Sequence, residues 1–319
     1  MFVAMQLRRV GRTGLTVSSL ALGTMTWGRD TDEHEARDQL TAFLDAGGTL
    51  VDTAASYGEG RSEELLGSFL GDVVGRDDVV VATKAGITRR DGVRSVDTSR
   101  GALLRSLDTS LRRLGVDHVD LWQVHTWSDG APLEETLAAL DYAVTSGRTA
   151  YAGISNYSGW QTGRATAWQD AVPGRSPIAS TQMPYSLLRR DIEKEVVPAA
   201  EAAGLGLLAW SPLASGVLTG KYRSRVPSDS RAASDFYRGL TEPYLDERAS
   251  AVVEAVVKAA DGLEWTPAQV ALAWVRDRPG VTAPIVGART VAQLTESLHV
   301  ADLTLPPEIA DALDDVSAT

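Results

Sequence analysis

Val51-Asp52-Thr53-Ala54-Ala55-Ser56-Tyr57-Gly58-Glu59-Gly60 sets a carboxylate and a phenol five residues apart where an apolar run, Thr49-Leu50-Val51, gives way to a turn. A short apolar run bounded by turn glycines reads as the end of a buried parallel strand, and Gly58 and Gly60 mark the loop beyond it. Two later runs finish the same way. Val79-Val80-Val81-Ala82-Thr83 ends at Lys84, and His118-Val119-Asp120-Leu121-Trp122-Gln123-Val124 ends at His125. Parallel strands that each end on a titratable residue bring an Asp, a Tyr, a Lys and a His to one rim of the protein.

Working outward, strand-like runs recur at Leu20–Leu22, Thr49–Val51, Val79–Thr83, Val119–Val124, Tyr151–Ile154, Ile178–Met183, Leu205–Trp210 and Ala283–Val286. Helical patterns separate them. The clearest has Leu103, Leu107, Leu111 and Leu114 on one stripe and stops at Gly115. Eight strands alternating with helices imply a parallel sheet, and eight repeats of the unit favour closure into a (β/α)8 barrel, a TIM barrel, over an open sheet. A hairpin turned at Arg12-Thr13-Gly14 precedes the first strand, and a helix from Glu308 to Val316, opened by Pro306-Pro307, is expected to pack outside the barrel. Lys221–Glu247 is polar, rich in Ser and Arg and punctuated by Pro227, Gly239 and Pro243; it is too long for an ordinary connection and reads as a mobile lid after strand 7, on the rim that holds the site. Residues 1–319 are therefore read as one barrel domain.

The composition is compatible with this reading and excludes several others. A content of 44% hydrophobic residues suffices for a large core. No stretch approaches the roughly 18 apolar residues of a membrane span. The apolar start before Arg8 and Arg9 is too short for a secretory signal, so a cytoplasmic location is expected. With no cysteine, disulfides, thiolate metal sites and a thiol nucleophile are excluded. A net charge of −11 speaks against a nucleic-acid partner.

The chain resembles the aldo-keto reductases, on residues spread over nearly its whole length: Gly11–Gly23 (GRTGLTVSSLALG), Asp52–Gly67 (DTAASYGEGRSEELLG), Ser106–His125 (SLDTSLRRLGVDHVDLWQVH), Gly153–Asn156 (GISN), Gln182–Tyr185 (QMPY) and Trp210–Tyr222 (WSPLASGVLTGKY). The resemblance implies a catalytic tetrad of Asp52, Tyr57, Lys84 and His125 and reduction of carbonyls by a nicotinamide cofactor, with no metal. It is closest in character to the branch of bacterial reductases and potassium-channel beta subunits.

Reducing a carbonyl needs a hydride on carbon and a proton on oxygen. A phenol near pKa 10 is a weak acid unless its anion is stabilised. An ammonium at Lys84 would favour the phenolate and lower the Tyr57 pKa, Asp52 would keep that lysine charged, and His125 would orient the substrate oxygen. By analogy with the family, Tyr57 is the general acid. Taken singly, each residue also has a structural reading: an Asp-Lys pair can merely hold a loop, and a lone Tyr or His can be a satisfied buried group.

No Gly-x-Gly-x-x-Gly fingerprint follows an early strand, so the barrel itself should hold the cofactor. The resemblance places its carboxamide on Ser155, Asn156 and Gln182, its nicotinamide ring on Trp210, and its pyrophosphate along Ser211, Leu213, Gly216 and Lys221. Trp210 could equally be a core tryptophan. The adenosine end falls on Gly287, Arg289 and Gln293, where many family members carry a Lys-Ser pair that this chain lacks. Arg289 can supply the charge for NADPH, with NADH the alternative, although an arginine at a helix start can equally be solvent-exposed.

Trp27, Trp127, Tyr185, Phe236 and Tyr237 are candidates for an apolar mouth that takes an aldehyde or ketone, or for packing. Two other functions compete: an NADPH-binding regulatory sensor with little turnover, and a Schiff-base barrel lyase using Lys84 as nucleophile. Asp52 argues against the second, because a nearby carboxylate keeps the lysine protonated.

Overall fold

The computed structural model describes residues 5–90, 93–223, 226–228 and 230–318. The strands are β1 Leu7–Arg9, β2 Thr16–Ser18, β3 Ala21–Gly23, β4 Leu50–Asp52, β5 Val80–Ala85, β6 Ile87–Arg90, β7 Val93–Val96, β8 Val119–Val124, β9 Thr149–Ser155, β10 Ile178–Pro184, β11 Gly206–Trp210 and β12 Val281–Val286. The helices are α1 Glu33–Asp45, α2 Arg61–Phe69, α3 Arg100–Leu114, α4 Leu133–Thr145, α5 Gly159–Asp170, α6 Ile192–Ala203, α7 Asp235–Thr241, α8 Glu247–Leu263, α9 Pro267–Arg276, α10 Val291–Leu298 and α11 Pro307–Ser317.

β3, β4, β5, β8, β9, β10, β11 and β12 pair in parallel, in that order, and β12 returns to β3 to close the barrel. These are the eight runs read as strands from the sequence. Registers such as Gly23 with Asp52, Asp52 with Ala82, and Lys84 with Gln123 put the strand ends level, so residues just beyond them share one rim.

Inside the barrel, Ala21, Leu50, Ala82, Leu121, Leu208, Ala283 and Ile285 form one apolar cluster, which also takes in Val10, Leu15 and Val17 of the N-terminal hairpin. That hairpin, β1 against β2, therefore caps the interior, and its turn is tied down by Arg12 N–H donating to Gly204 O at 2.9 Å. A second, larger cluster lies between strands and helices. The stripe Leu103, Leu107, Leu111 and Leu114 is buried there, and α3 ends at Leu114 as its spacing predicts.

Two features differ from the sequence reading. β6 and β7 form an extra antiparallel hairpin directly after β5, with Ile87 opposite Val96. The lid segment is also more ordered in its secondary structure than a plain loop, because it contains α7. Tyr237 and Thr241, four residues apart and hence on one helix face, are both buried. The Tyr237 hydroxyl donates to Asp30 Oδ2 at 2.5 Å, and Ser215 Oγ donates to Leu240 O at 3.1 Å, so α7 is docked on the rim. α11 packs outside against α8, as expected, and its Asp314 accepts from the Trp274 indole N–H at 3.0 Å and from Arg278 at 2.7 Å. Among the described residues, no helix is long and apolar enough to cross a membrane.

Candidate active site

Asp52 ends β4 and Lys84 lies in the neighbouring β5; both are almost fully buried. Lys84 Nζ donates to Asp52 Oδ2 at 2.6 Å, to Thr53 O at 2.8 Å and to the Tyr57 hydroxyl at 3.3 Å. An ammonium has three donors, and all three are used. The second Asp52 oxygen, Oδ1, accepts from Gln182 Nε2 at 2.9 Å, with Gln123 Nε2 at 3.5 Å. A buried ion pair survives its desolvation cost only when its remaining valences are satisfied in this way. Burial works against the charged lysine, but Asp52 and then Tyr57 outweigh it, and the Lys84 pKa is pushed up.

Tyr57 stands on the loop after β4, with its N–H on Ala54 O at 3.0 Å. Its ring meets the His125 ring edge-on, with centroids 5.9 Å apart and planes at 79°. The net effect on its hydroxyl is opposite to the sequence expectation. Burial disfavours the phenolate and Asp52 adds to this; Lys84 pulls the other way without overcoming them, so the Tyr57 pKa is raised. The resting group is a neutral phenol, and the lysine limits the penalty of ionisation.

His125 follows β8; its N–H donates to Ala85 O at 2.8 Å and its carbonyl accepts from Asn156 Nδ2 at 2.9 Å. Asn156 has φ +57°, a left-handed conformation that Asn tolerates better than most residues. Its Nδ2 also donates to Ser155 Oγ at 3.0 Å, and its Oδ1 accepts from Trp210 Nε1 at 3.2 Å. Ser155 Oγ in turn donates to Gln182 O at 2.9 Å. Downstream, a capping box between Ser158 and Gln161 starts α5 and holds this strand end in place. Ser155, Asn156, Gln182 and Trp210 thus form one connected group beside Asp52, Tyr57, Lys84 and His125.

Trp210 is half-buried, not enclosed in the core. It lines a cleft of about 380 Å³ with Ser211, Ser215, Leu188, Leu240 and Tyr244. Beyond it, Ser211, Ala214, Ser215 and Gly216 all have positive φ, at +53°, +48°, +57° and +89°. Runs of such residues can shape concave backbone that suits anions. A Cβ on Gly216 would lie 2.9 Å from Lys221 Nζ, so the glycine leaves the ammonium room to lie against this backbone. Leu213 sits within the same turn, its carbonyl accepting from Gly216 N–H at 2.9 Å.

Gly287, Arg289 and Gln293 follow β12 at the start of α10. Gln293 Oε1 accepts from Arg289 N–H at 3.1 Å, and Gln293 N–H donates to Thr290 Oγ1 at 3.3 Å. Glu35 of α1 accepts from Val291 N–H at the same helix start. A carboxylate therefore already stands where the sequence suggested a phosphate.

The proposed aromatic mouth is not assembled as a unit. Trp27 is fully buried, donates to Gln39 Oε1 at 2.9 Å and packs edge-on with Phe69. Tyr185 is buried, with its hydroxyl on Glu193 at 2.6 Å. Tyr237 is the α7 anchor described above, and the side chain of Phe236 lies outside the described residues. Trp127 is half-buried and packs edge-on against Tyr157 and Trp160, two residues beyond His125. Sequence reasoning also missed Gln123, although its spacing of two from His125 puts both on the same face of the strand. Glu35 gave no local signal, because its partner Val291 is distant in sequence.

A closed parallel barrel with a buried Asp-Lys pair touching a tyrosine at its carboxyl rim defines a class of barrel oxidoreductase, and comparison with known proteins agrees. The sequence profile of the Aldo/keto reductase family matches residues 19–318. Similar proteins include the uncharacterized oxidoreductase YrpG of Bacillus subtilis, 38% identical over 98% of this chain and 96% of that protein. A probable voltage-gated potassium channel subunit beta of Oryza sativa is 36% identical over 98% of this chain and 96% of its own. The L-glyceraldehyde 3-phosphate reductase of Escherichia coli K12 is 34% identical over 92% of this chain and 87% of its own. The chain belongs to the aldo/keto reductase family, and as such is an NAD(P)H-dependent oxidoreductase acting on small-molecule carbonyl compounds.

Proposed function

We propose that this protein, as one barrel domain spanning residues 1–319, reduces aldehydes and ketones to alcohols with NADPH, and that Tyr57 is the general acid. The observation that carries the reading is the Lys84 ammonium, held between Asp52 Oδ2 at 2.6 Å and the Tyr57 hydroxyl at 3.3 Å. The bound cofactor supplies a hydride to the carbonyl carbon. Tyr57 gives its proton to the carbonyl oxygen as charge develops there, and the resulting phenolate faces Lys84 until solvent reprotonates it. Asp52 keeps Lys84 charged and in place, and His125 orients the oxygen beside Tyr57. A lysine that stays protonated is no nucleophile, which speaks against a Schiff-base lyase.

The residues around the rim fit a nicotinamide dinucleotide. Trp210, its ring fixed by the indole N–H on Asn156, offers a half-open aromatic face to the cleft. Ser155, Asn156 and Gln182 offer amide and hydroxyl groups for a carboxamide. The left-handed residues Ser211, Ala214, Ser215 and Gly216 and the Lys221 charge suit a pyrophosphate. Preference for NADPH over NADH rests on Arg289, with Gly287 and Gln293 completing the adenosine end, and Glu35 works against it.

The names of the potassium-channel relatives favour a second reading, a cofactor-binding regulatory sensor with little turnover. Steady-state NADPH consumption with para-nitrobenzaldehyde separates the two. Turnover in the ordinary enzyme range, about 1 s⁻¹ or more, supports the reductase. Tight NADPH binding without turnover across a panel of aldehydes and ketones supports the sensor.

A further inference from the structure

Arg113 lies on α3, outside the barrel, yet its guanidinium reaches the loop that carries Tyr57. Nη1 donates to Ala55 O at 3.3 Å and Nη2 to Glu59 O at 3.2 Å, the carbonyls two residues before and two residues after Tyr57. Nη1 also meets Glu63 Oε2 at 3.2 Å. Glu63 is fully buried, and its other oxygen accepts from Thr83 Oγ1 at 2.7 Å. Thr83 is the residue before Lys84. One ion pair therefore links both sides of the Tyr57 loop to the strand that holds Lys84.

The loop needs such a tie. Gly58, Glu59 and Gly60 all have positive φ, at +55°, +56° and +105°, and a glutamate held there is strained unless its surroundings fix it. At Gly60 a Cβ would lie 2.1 Å from Arg113 Cζ, so glycine alone leaves space for the guanidinium over the backbone. A planar fork can bond two carbonyls on either side of a turn while it pairs with a carboxylate; a lysine ammonium cannot reproduce that span.

We propose that Arg113 and Glu63 are a positioning pair, which sets the Tyr57 hydroxyl against Lys84 Nζ for proton transfer without touching substrate or cofactor. The proposal rests on the reading of Tyr57 as the acid. The Tyr57–Lys84 contact, at 3.3 Å, is near the outer limit of a hydrogen bond, so a small drift of the loop loses it. Arg113 and Glu63 themselves bond to Ala55, Glu59 and Thr83, and not to the groups on β9 to β12 that would hold the cofactor, among the described residues.

The test measures kcat, carbonyl KM and NADPH Kd for Arg113→Lys and Arg113→Met, each in the native and the Tyr57→Phe background, with the pH profile of alcohol oxidation. Arg113→Lys retains a charge beside Glu63 and should fold; if Arg113→Met does not, the lysine variant carries the test. The expected result is a kcat loss of about 10-fold for Lys and about 100-fold for Met, the scale of a displacement of about 1 Å, with NADPH Kd changed less than about 2-fold. Neither substitution should lower the residual rate of Tyr57→Phe further. In the Arg113 variants the rise of alcohol oxidation with pH should move to higher pH, because a phenol farther from the ammonium ionises less readily. Native kcat in Arg113→Lys, or the same fold loss in both backgrounds, would overturn the proposal and leave a purely structural ion pair. A native rate in Tyr57→Phe alone would instead remove the acid assignment, and this proposal with it.

Discussion

The two halves of the barrel rim are built by different means. At the ends of β4, β5, β8 and β10, side chains do the work: Asp52, Lys84, Gln123 and Gln182 are almost fully buried and bonded to one another. Beyond β11 and β12, backbone conformation and half-exposed groups take over, with four left-handed residues between Ser211 and Gly216 and charges contributed by Lys221, Arg289 and Glu35. The contrast suits the two tasks. Under the proposed function, proton transfer needs a fixed charge in a water-poor site, whereas a large anionic cofactor must enter and leave.

If that division holds, substitutions in the two halves should fail differently. The largest effect is expected at Lys84→Met, which leaves the Asp52 carboxylate buried without its cation and withdraws support from the phenolate. Removing one partner of a buried pair costs about 3–5 kcal/mol of stability, to be read from denaturant unfolding. Loss of the assisted acid should lower kcat by about 10² to 10⁴-fold where the variant remains folded. Next comes Gly216→Val, which puts a β-branched residue at φ +89° and crowds Lys221. Backbone strain of about 1–3 kcal/mol should appear as roughly 10-fold or greater weakening of NADPH binding, with kcat at saturation nearly native. A matching loss in kcat would erase the distinction between the halves.

Smaller effects should sharpen the adenosine end. Glu35→Gln removes a negative charge from the start of α10, and Arg289→Ala removes a positive one. Each charge at a helix end is worth about 0.3–1 kcal/mol, so the ratio of NADPH to NADH affinity should rise by about 2–5-fold in the first and fall by as much in the second. Cofactor titrations by tryptophan fluorescence measure both.

The side-chain half also predicts a pH dependence of stability. Lys84 and Tyr57 are both pushed above their ordinary values, so the folded protein keeps protons that the unfolded chain releases from about pH 10 upward. Their contribution is complete below that pH and is lost as pH climbs toward the folded-state values. Urea midpoints should therefore fall more steeply above about pH 10 in the native protein than in a Tyr57→Phe variant, which has one fewer such group.

Legibility in the sequence follows the same division. The barrel could be read because eight apolar runs are local signals, and the gathering of Asp52, Tyr57, Lys84 and His125 on one rim because each ends or follows such a run. The β6–β7 hairpin is absent from the sequence reading, although Asp91-Gly92 between strand-forming residues is a hairpin signal. The direction of the Tyr57 shift could not be read, since it depends on how burial and Asp52 balance Lys84. Trp27 and Tyr185 read as candidates for a mouth or for packing, because aromatic residues near strand ends look alike until Gln39 and Glu193 are found beside them. Long-range pairs such as Arg113 with Ala55 and Glu59 leave no periodic trace.

The central claim is that the proton comes from Tyr57 beside Lys84, and a single-turnover experiment tests it most directly. Native protein and Tyr57→Phe, each saturated with NADPH, would be mixed with para-nitrobenzaldehyde and the oxidation of the bound cofactor followed. The account predicts that Tyr57→Phe binds NADPH as the native protein does but transfers hydride at least about 100-fold more slowly. Equal single-turnover rates in the two proteins would contradict it.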